Sequence, residues 1–403
     1  MTKNRMIKNI FIHSLYAVAI GIIVGFACGL LGQGVKLVTE FRNNHTWLIY
    51  LLPVAGIIII LIYKALKVDL DYKTNKVINT IINKDEGICF EIAPAIFCAT
   101  IITHLFGGSA GKESAGILIG TAIACFIKRK IKSTTSDIRI ITMCGMAAGF
   151  SALFGTPLAA AAFSIEIITS EINLIAIIPV LISSFIGKYT SSLIYANNEI
   201  YLLSNIPQYT LYSFAKVLLL VILASAVSLI MVFSLENIGK LFKKIRNDYL
   251  RIIIGGTIVS LLIVLFGTNT YAGAGLNVIE QAIEGYSISY SFIIKIILTS
   301  ITLAAGYKGG EIVPTLFIGA TFGAAIGPIF GLDAGFSAAI SMICLFAANT
   351  NCPIASFLLA LELFGTKGIV FFIPSTLISY LLTSNSGLYQ NTKAIIKFTS
   401  KWF

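Results

Sequence analysis

The sequence predicts an all-α polytopic membrane protein, and three observations lead there. Hydrophobic residues make up 57% of the 403 and charged residues only 12%, against roughly 25% charged in a soluble domain. Apolar runs follow one another with short polar breaks. A pattern of Gly, Pro and Glu in the first half of the chain also returns in the second.

The mean hydropathy of +0.91 is more apolar surface than a water-soluble chain of this length can hide. A bilayer removes the problem, because lipid is the solvent for the outer faces. Clear runs cover 10–31, 47–63, 214–235, 252–266 and 293–305. Others, at 89–106, 114–127, 138–169, 174–189, 312–331, 337–364 and 368–383, are shorter or interrupted by Gly and Pro. A full crossing needs about 20 apolar residues, so these predict tilted pieces and helices that stop inside the membrane. Lys3, Arg5 and Lys8 precede the first run as they would in a signal peptide. The run is too long, has no small-residue cleavage site and is followed by more spans, so it reads as a retained first helix.

The net charge of +11 suggests nucleic acid until its distribution is read. The excess sits in the N-terminal tail, in Lys128-Arg-Lys-Ile-Lys132, at 240–251, and at Lys393, Lys397 and Lys401. These clusters flank apolar spans, which is the positive-inside pattern and places both termini in the cytoplasm. No basic groove outside the membrane is left for nucleic acid. Cys28, Cys89, Cys98, Cys125, Cys144, Cys344 and Cys352 show no C-x-x-C spacing and read as small hydrophobes in or beside helices. His13, His45 and His104 form no metal pattern. Neither a metal nor a cofactor is expected.

The repeat is the informative feature. Gly111-Lys-Glu-Ser-Ala-Gly-Ile-Leu-Ile-Gly120 lies over Gly310-Glu-Ile-Val-Pro-Thr-Leu-Phe-Ile-Gly319, matching in its end glycines and its Ile-Gly pair. Downstream, Pro157-Leu-Ala-Ala-Ala-Ala-Phe-Ser-Ile-Glu166 matches Pro353-Ile-Ala-Ser-Phe-Leu-Leu-Ala-Leu-Glu362. Gly/Ala-rich membrane helices resemble one another by chance, but two blocks in the same order favour duplication. The boundary falls near 195–212, giving a first membrane repeat over 1–200 and a second over 201–403. Such repeats in transporters are commonly inverted, with the substrate at their interface near mid-membrane.

The two glycine-rich loops also suggest the ligand. Gly107-Gly-Ser-Ala-Gly-Lys-Glu-Ser114 and Gly306-Tyr-Lys-Gly-Gly-Glu311 each open an apolar helix. Glycine lets the backbone turn sharply and approach a ligand. The helix that follows aims its unpaired N–H groups and the positive end of its dipole at the loop. An anion is the natural occupant. Two such starts meeting at one point would hold a dehydrated anion by backbone N–H groups, whereas a full positive charge would bind it too tightly for release. Glu113 is then the odd residue, because an intramembrane carboxylate is costly and functional by default. Ionised, it can take the anion's place, and protonated it can leave, which is a chemical basis for exchanging protons against anions. The plainer reading is a Glu that only complements a helix dipole, and the repeat and the glycines weigh against it.

At this point the residues resemble a known family. Gly111-Lys-Glu-Ser-Ala115 is similar to the G-K/R-E-G-P signature of CLC chloride channels and transporters, and Gly310-Glu-Ile-Val-Pro314 falls where that family has G-x-F-x-P. Gly145-Met-Ala-Ala-Gly-Phe-Ser-Ala-Leu-Phe-Gly-Thr-Pro-Leu158 resembles its counterpart, and Gly387-Leu-Tyr389 sits where CLC proteins keep a pore-lining tyrosine. The departures point to one branch. Where the first anion motif, G-S-G-I-P, should lie, the chain reads Tyr72-Lys-Thr-Asn-Lys-Val-Ile78, so the serine is absent and Asn75 is the candidate for its place. Glu311 in the second-half motif is similar to the CLC-F branch of bacterial fluoride/proton antiporters, which often has Thr where Val313 stands. The position of the internal proton glutamate of some chloride/proton exchangers is occupied by Ile167, beside Glu166. Both Glu166 and Glu362 read as structural ends of repeat helices, with a proton relay at Glu166 as the sharper alternative. The chain stops soon after Tyr389, leaving no room for the CBS domains of many CLC proteins.

The resemblance implies a CLC-type fold of two inverted repeats with broken, tilted helices, and a homodimer in the cell membrane. The implied activity is export of fluoride against an inward flow of protons, with a chloride/proton exchanger or chloride channel as the alternative. The protein is not expected to be an enzyme, since no nucleophile–base pair or metal cluster accompanies Glu113 in the sequence. Glu113 is the expected gating and proton-carrying carboxylate, assisted by Glu311. Anion binding is assigned to Asn75, Gly111, Lys112, Ser114, Gly310, Ile312, Val313 and Tyr389. Desolvation and a neighbouring anion favour a neutral acid, so Glu311 is expected to be protonated for part of the cycle and to donate an O–H to fluoride. The plainer alternative has Glu311 capping its helix and pairing with Lys308.

Overall fold

The computed structural model describes residues 3–72, 74–82, 88–131, 137–168, 174–196, 200–203, 205–266, 269–384 and 386–389. Among them the regular elements are sixteen α-helices and three short 3-10 turns. The first half holds α1 (Lys3–Asn44), α2 (Leu52–Ala65), α3 (Thr74–Ile82), α4 (Ile92–Leu105), α5 (Glu113–Ile131), α6 (Asp137–Phe154), α7 (Pro157–Ile168) and α8 (Leu174–Ser192). The second holds α9 (Leu211–Lys243), α10 (Asp248–Leu265), α11 (Leu276–Ile283), α12 (Ser291–Ala305), α13 (Ile312–Ile326), α14 (Ala334–Thr350), α15 (Pro353–Phe364) and α16 (Ile369–Thr383).

Among the described residues, six stretches are long and apolar enough to cross a membrane: Ile7–Asn44, Thr46–Ala65, Ile175–Ser192, Leu211–Lys243, Asp248–Leu265 and Ile312–Phe330. The expected run 10–31 is only part of α1, whose 42 residues measure about 60 Å at helical rise. That exceeds the roughly 30 Å of hydrocarbon, so α1 tilts or protrudes. The opposite happens to two other runs, which break in two. The run 138–169 ends its first helix at Gly155, φ +76°, and restarts at Pro157. The run 337–364 breaks at Asn351, φ +56°, and restarts at Pro353. A left-handed residue stops a helix, and a proline suits the first position of the next.

Packing repeats between the halves. α5 lies on α6 as α13 lies on α14; α6 touches α7 and α8 as α14 touches α15 and α16; α1 crosses α6 and α8 as α9 crosses α14 and α16. Small residues line both crossings. A Cβ at Gly120 would fall 2.0 Å from the Gly145 carbonyl, and one at Gly323 would fall 2.1 Å from that of Ser337. Close backbone approach of this kind is how helices associate in lipid, where no hydrophobic force joins them. The halves are also clasped. Glu166, near the end of α7, accepts the N–H groups of Ile354 (3.1 Å) and Ala355 (2.7 Å) at the start of α15. Glu362 returns the contact, accepting from Leu158 (3.0 Å) and Ala159 (2.9 Å) at the start of α7. Each carboxylate meets the positive end of the other half's helix.

Several basic side chains anchor helix ends. Arg251 reaches Asp71 at 3.4 Å, Lys64 lies over the Tyr249 ring, and Arg129 and Arg139 donate to the carbonyls of Ile88 and Ile82. The first two contacts join the end of α2 and the turn after it to the start of α10, and the other two hold the end of α5 against Ile88 and the start of α6 against the end of α3. Lys132, Lys393, Lys397 and Lys401 lie outside the described residues.

Candidate functional site

The two glycine loops meet. Gly111 donates its N–H to the Gly310 carbonyl and Gly310 donates to that of Gly111, both at 2.7 Å, forming an isolated antiparallel bridge. The chain reaches it through left-handed turns at Gly107 (φ +83°), Gly306 (φ +113°) and Gly309 (φ +155°), which only glycine adopts cheaply. No side chain fits at the joint. A Cβ at Gly111 would stand 2.5 Å from Glu113 Oε2 and 3.2 Å from Val313, and one at Gly310 would stand 2.5 Å from Ser114 Oγ. The bridge occupies the N–H groups of both glycines, so their part is to bring α5 and α13 nose to nose. The donors left for an anion are those of the first helical turns, which have no intrahelical acceptor.

Glu113 opens α5 and is 1% exposed, its Oε2 folded against Gly111. Ser114, Ile312 and Val313 are buried around the same joint. Glu311 precedes α13, is half-buried, and accepts the Tyr389 hydroxyl at Oε1, 2.8 Å away. Tyr389 is 1% exposed and presents its ring edge-on to Phe163. Asn75, on α3, donates its amide to the Leu388 carbonyl at 2.8 Å, and the Leu388 N–H reaches the Asn349 carbonyl, also at 2.8 Å. Asn75, Leu388, Tyr389 and Glu311 therefore form one string beside the bridge.

The two lysines point apart. Lys112 donates to the Tyr195 hydroxyl and lies 4.4 Å over that ring. Lys308 is buried, donates to the Leu70 carbonyl and lies over the Tyr63 ring. The structure thus gives Glu311 a buried tyrosine as partner, and sets Lys308 inside the protein and not on a surface.

A cavity opens on each side of the joint, inner and outer following the positive-inside expectation for the basic residues. The inner one, of about 200 Å³, is lined by Asn75, Tyr307, Lys308, Glu311 and Glu236. The outer one, of about 890 Å³, is lined by Lys36, Arg42, His104, Lys112 and Tyr195. It sits at the C-terminal ends of α1 and α10. Glu311 therefore lines the inner cavity, while Lys112, next to Glu113, lines the outer one.

A family model described as voltage gated chloride channel matches residues 55–384. The chain belongs to that family, the CLC proteins. Among its relatives is a chloride/fluoride channel protein of Pseudomonas syringae pv. tomato, 28% identical over 379 residues that cover 92% of this chain and 84% of the relative. Another is the H(+)/Cl(-) exchange transporter ClcA of Yersinia pestis, 30% identical over 312 residues, 69% of this chain and 63% of the relative. The crystal structure of a CLC-type fluoride/proton antiporter superposes with a TM-score of 0.91 at 27% identity, over 96% of this chain and 98% of that one. A slow cyanobacterial Cl−/H+ antiporter shares the fold, with a TM-score of 0.82 at 18% identity, over 97% and 98%. The CLC-type membrane fold expected from the sequence is the fold observed.

Two buried charged groups of this CLC chain, Lys295 and Arg42, escaped the sequence reading, and the burial of His104 escaped it too. Lys295 is 0% exposed in α12, donating to the carbonyls of Gly273 (2.7 Å) and Tyr271 (3.2 Å). Arg42 is 3% exposed and donates to the His104 carbonyl at 2.8 Å. His104 is itself buried, its Nδ1 on the Thr100 carbonyl at 2.9 Å. The available signal was a lone lysine inside the run 293–305 and a histidine closing an apolar run.

Proposed function

We propose that this CLC protein exports fluoride in exchange for inward-moving protons, as an antiporter of the cell membrane, with chloride as the alternative anion. The observation that carries the reading is the Gly111–Gly310 joint, where two helix starts meet with a carboxylate at each. The anion is held, largely stripped of water, by N–H groups of the first turns of α5 and α13. Ionised Glu113 competes for that place. Once protonated it loses its attraction to the helix ends and yields to the anion, so each state of the carboxylate selects one occupant.

Glu311 adds selectivity. When it takes up a proton it becomes an O–H donor, and fluoride accepts such a bond better than the larger chloride. Tyr389 holds the carboxylate between these events. Asn75 has two amide N–H groups, and one on Leu388 leaves the other for the anion. Gly111, Lys112, Ser114, Gly310, Ile312 and Val313 complete the anion site as its frame and nearest donors. The working unit in this reading is a homodimer within the lipid bilayer. Each subunit is one transmembrane domain of two duplicated halves, 1–200 and 201–403, and both termini are cytoplasmic. The activity is transport and not an enzymatic conversion.

The test is efflux from liposomes containing the purified protein, followed with fluoride- and chloride-selective electrodes and a pH probe. Fluoride release with proton uptake, and chloride release far slower, is the expected result. Proton-coupled chloride release at an equal or higher rate would make the protein a chloride/proton exchanger. Fluoride release without a pH change would make it a channel.

A further inference from the structure

Asn75 sits on α3, and nine residues are too few for a helix to hold its place by helical preference alone. Its apolar face packs on α5, α6 and α7, and its start is set by the turn 69–72, which leads in from α2. Three groups hold that turn. Lys308, in the second glycine loop, donates its Nζ to the Leu70 carbonyl, and the Leu70 side chain stands 3.6 Å from where a Cβ at Gly306 would be. Arg251, on α10, reaches Asp71 at 3.4 Å and Asp248 at 2.9 Å. Lys76, on α3, donates to Asp69 at 2.9 Å, and the Asp69 carboxylate also lies in the field of Lys308. Lys308, Asp69 and Lys76 thus alternate in sign from the glycine loop to the neighbour of Asn75.

Lys308 is the strong member of this chain. The side chains of Lys76 and Asp69 are 52% and 55% exposed, and such a pair contributes little. Lys308 is 4% exposed, its ammonium 4.7 Å above the Tyr63 ring and its backbone N–H on the Thr103 hydroxyl at 3.2 Å. Burying an ammonium is costly unless it is hydrogen-bonded, which favours the arrangement that brings the Leu70 carbonyl to Nζ. The base of this tie is firm, because the Tyr307 hydroxyl next to it is held by the carbonyls of Leu52 (2.8 Å) and Ile252 (3.2 Å). Lys308, Asn75 and Glu311 line one cavity. An apolar side chain of similar length at 308 would fill the same space and leave the turn untied.

We propose that Lys308 is a positioning residue for anion selectivity, which ties the turn 69–72 to the second glycine loop and so fixes the Asn75 amide relative to Glu311. The inference rests on the anion-transport reading, and on the part of Asn75 in it, and names the group that keeps Asn75 in place. Lys308 acts through α3 and not by touching the anion.

The test is a double-mutant cycle on the full chain in liposomes, read as the ratio of chloride to fluoride release. Lys308→Met should raise the ratio severalfold, as Asn75→Ser does. Combining the two should raise it no further than the larger single effect, because residues that act through one another are not additive. Where Lys308→Met does not yield monodisperse protein, Asp69→Lys takes its place in the cycle. It sets a like charge beside Lys308 and Lys76 at an exposed position, and the same severalfold rise is expected. An unchanged ratio in either single variant of the cycle overturns the inference. So does a double variant in which the two effects multiply, since Lys308 would then act on the anion independently of Asn75. Wild-type release measured alongside separates the two ideas. Wild-type release that favours chloride overturns the fluoride reading while the cycle still decides on Lys308, and a failed cycle with proton-coupled fluoride release intact removes only Lys308.

Discussion

Loops 107–114 and 306–314 share a backbone and differ in what their side chains do. Both turn through left-handed glycines, both open an apolar helix, and each is the other's partner in the bridge. In the first, the carboxylate belongs to the helix itself and is sealed against Gly111, while the lysine turns to the outer cavity and Tyr195. In the second, the carboxylate stands just outside the helix, half-buried and tied to Tyr389, while the lysine is committed to Leu70 and Tyr63 on the inner side. The loops share the geometry that a helix start requires and differ in how the carboxylate is held. That difference suits the roles proposed above, the sealed carboxylate as a plug and the other as a tethered group.

The largest effect that would sharpen this contrast is expected at the plug. Glu113→Gln keeps the shape and removes the titrating group, so proton movement coupled to anion flux should disappear in the liposome pH assay. Wild-type proton pumping by this variant would remove Glu113 from the gate. Glu311→Gln comes next. Fluoride/proton exchange should be lost while size-exclusion behaviour stays normal, and a variant with normal coupling would leave Glu311 as a partner of Tyr389 with no part in transport.

Gly111→Ala tests the joint between the loops. The added Cβ falls 2.5 Å from Glu113 Oε2, and overpacking of a tight site costs about 1–3 kcal/mol. A lower melting temperature and at least tenfold slower efflux are expected, and unchanged values would mean the joint has slack. Tyr389→Phe should be milder. It deletes one hydrogen bond to a charged group, about 1.5–3 kcal/mol, and should slow fluoride exchange without ending it. If efflux does not change, the tether is incidental and the two loops are more alike than their contacts suggest. The smallest shift is expected from Asn75→Ser, a severalfold rise in chloride relative to fluoride release. An unchanged ratio would place selectivity at the bridge itself.

Local features of the chain were legible because their causes are local. Long apolar runs partition into lipid wherever they lie, glycine turns and prolines punctuate helices by their own dihedral limits, and a repeat is visible without knowing how its copies pack. These were enough to pick out loops 107–114 and 306–314, with Glu113, whereas the parts of Glu311 and Tyr389 and the CLC-type fold rested on the resemblance of the motifs to a known family. Which groups touch was decided only in three dimensions. Glu311 and Tyr389 are 78 positions apart, and Asn75 and Leu388 are 313 apart. Their meeting depends on how half-helices from the two repeats interlock, which no local preference encodes. The same holds for Glu166 and Glu362, legible as helix ends but not as caps exchanged between repeats. Lys295 shows the limit most plainly. A lysine in an apolar run reads alike whether it snorkels to the membrane surface or is sealed on two carbonyls, because only the helices packed around it set which solvent it meets.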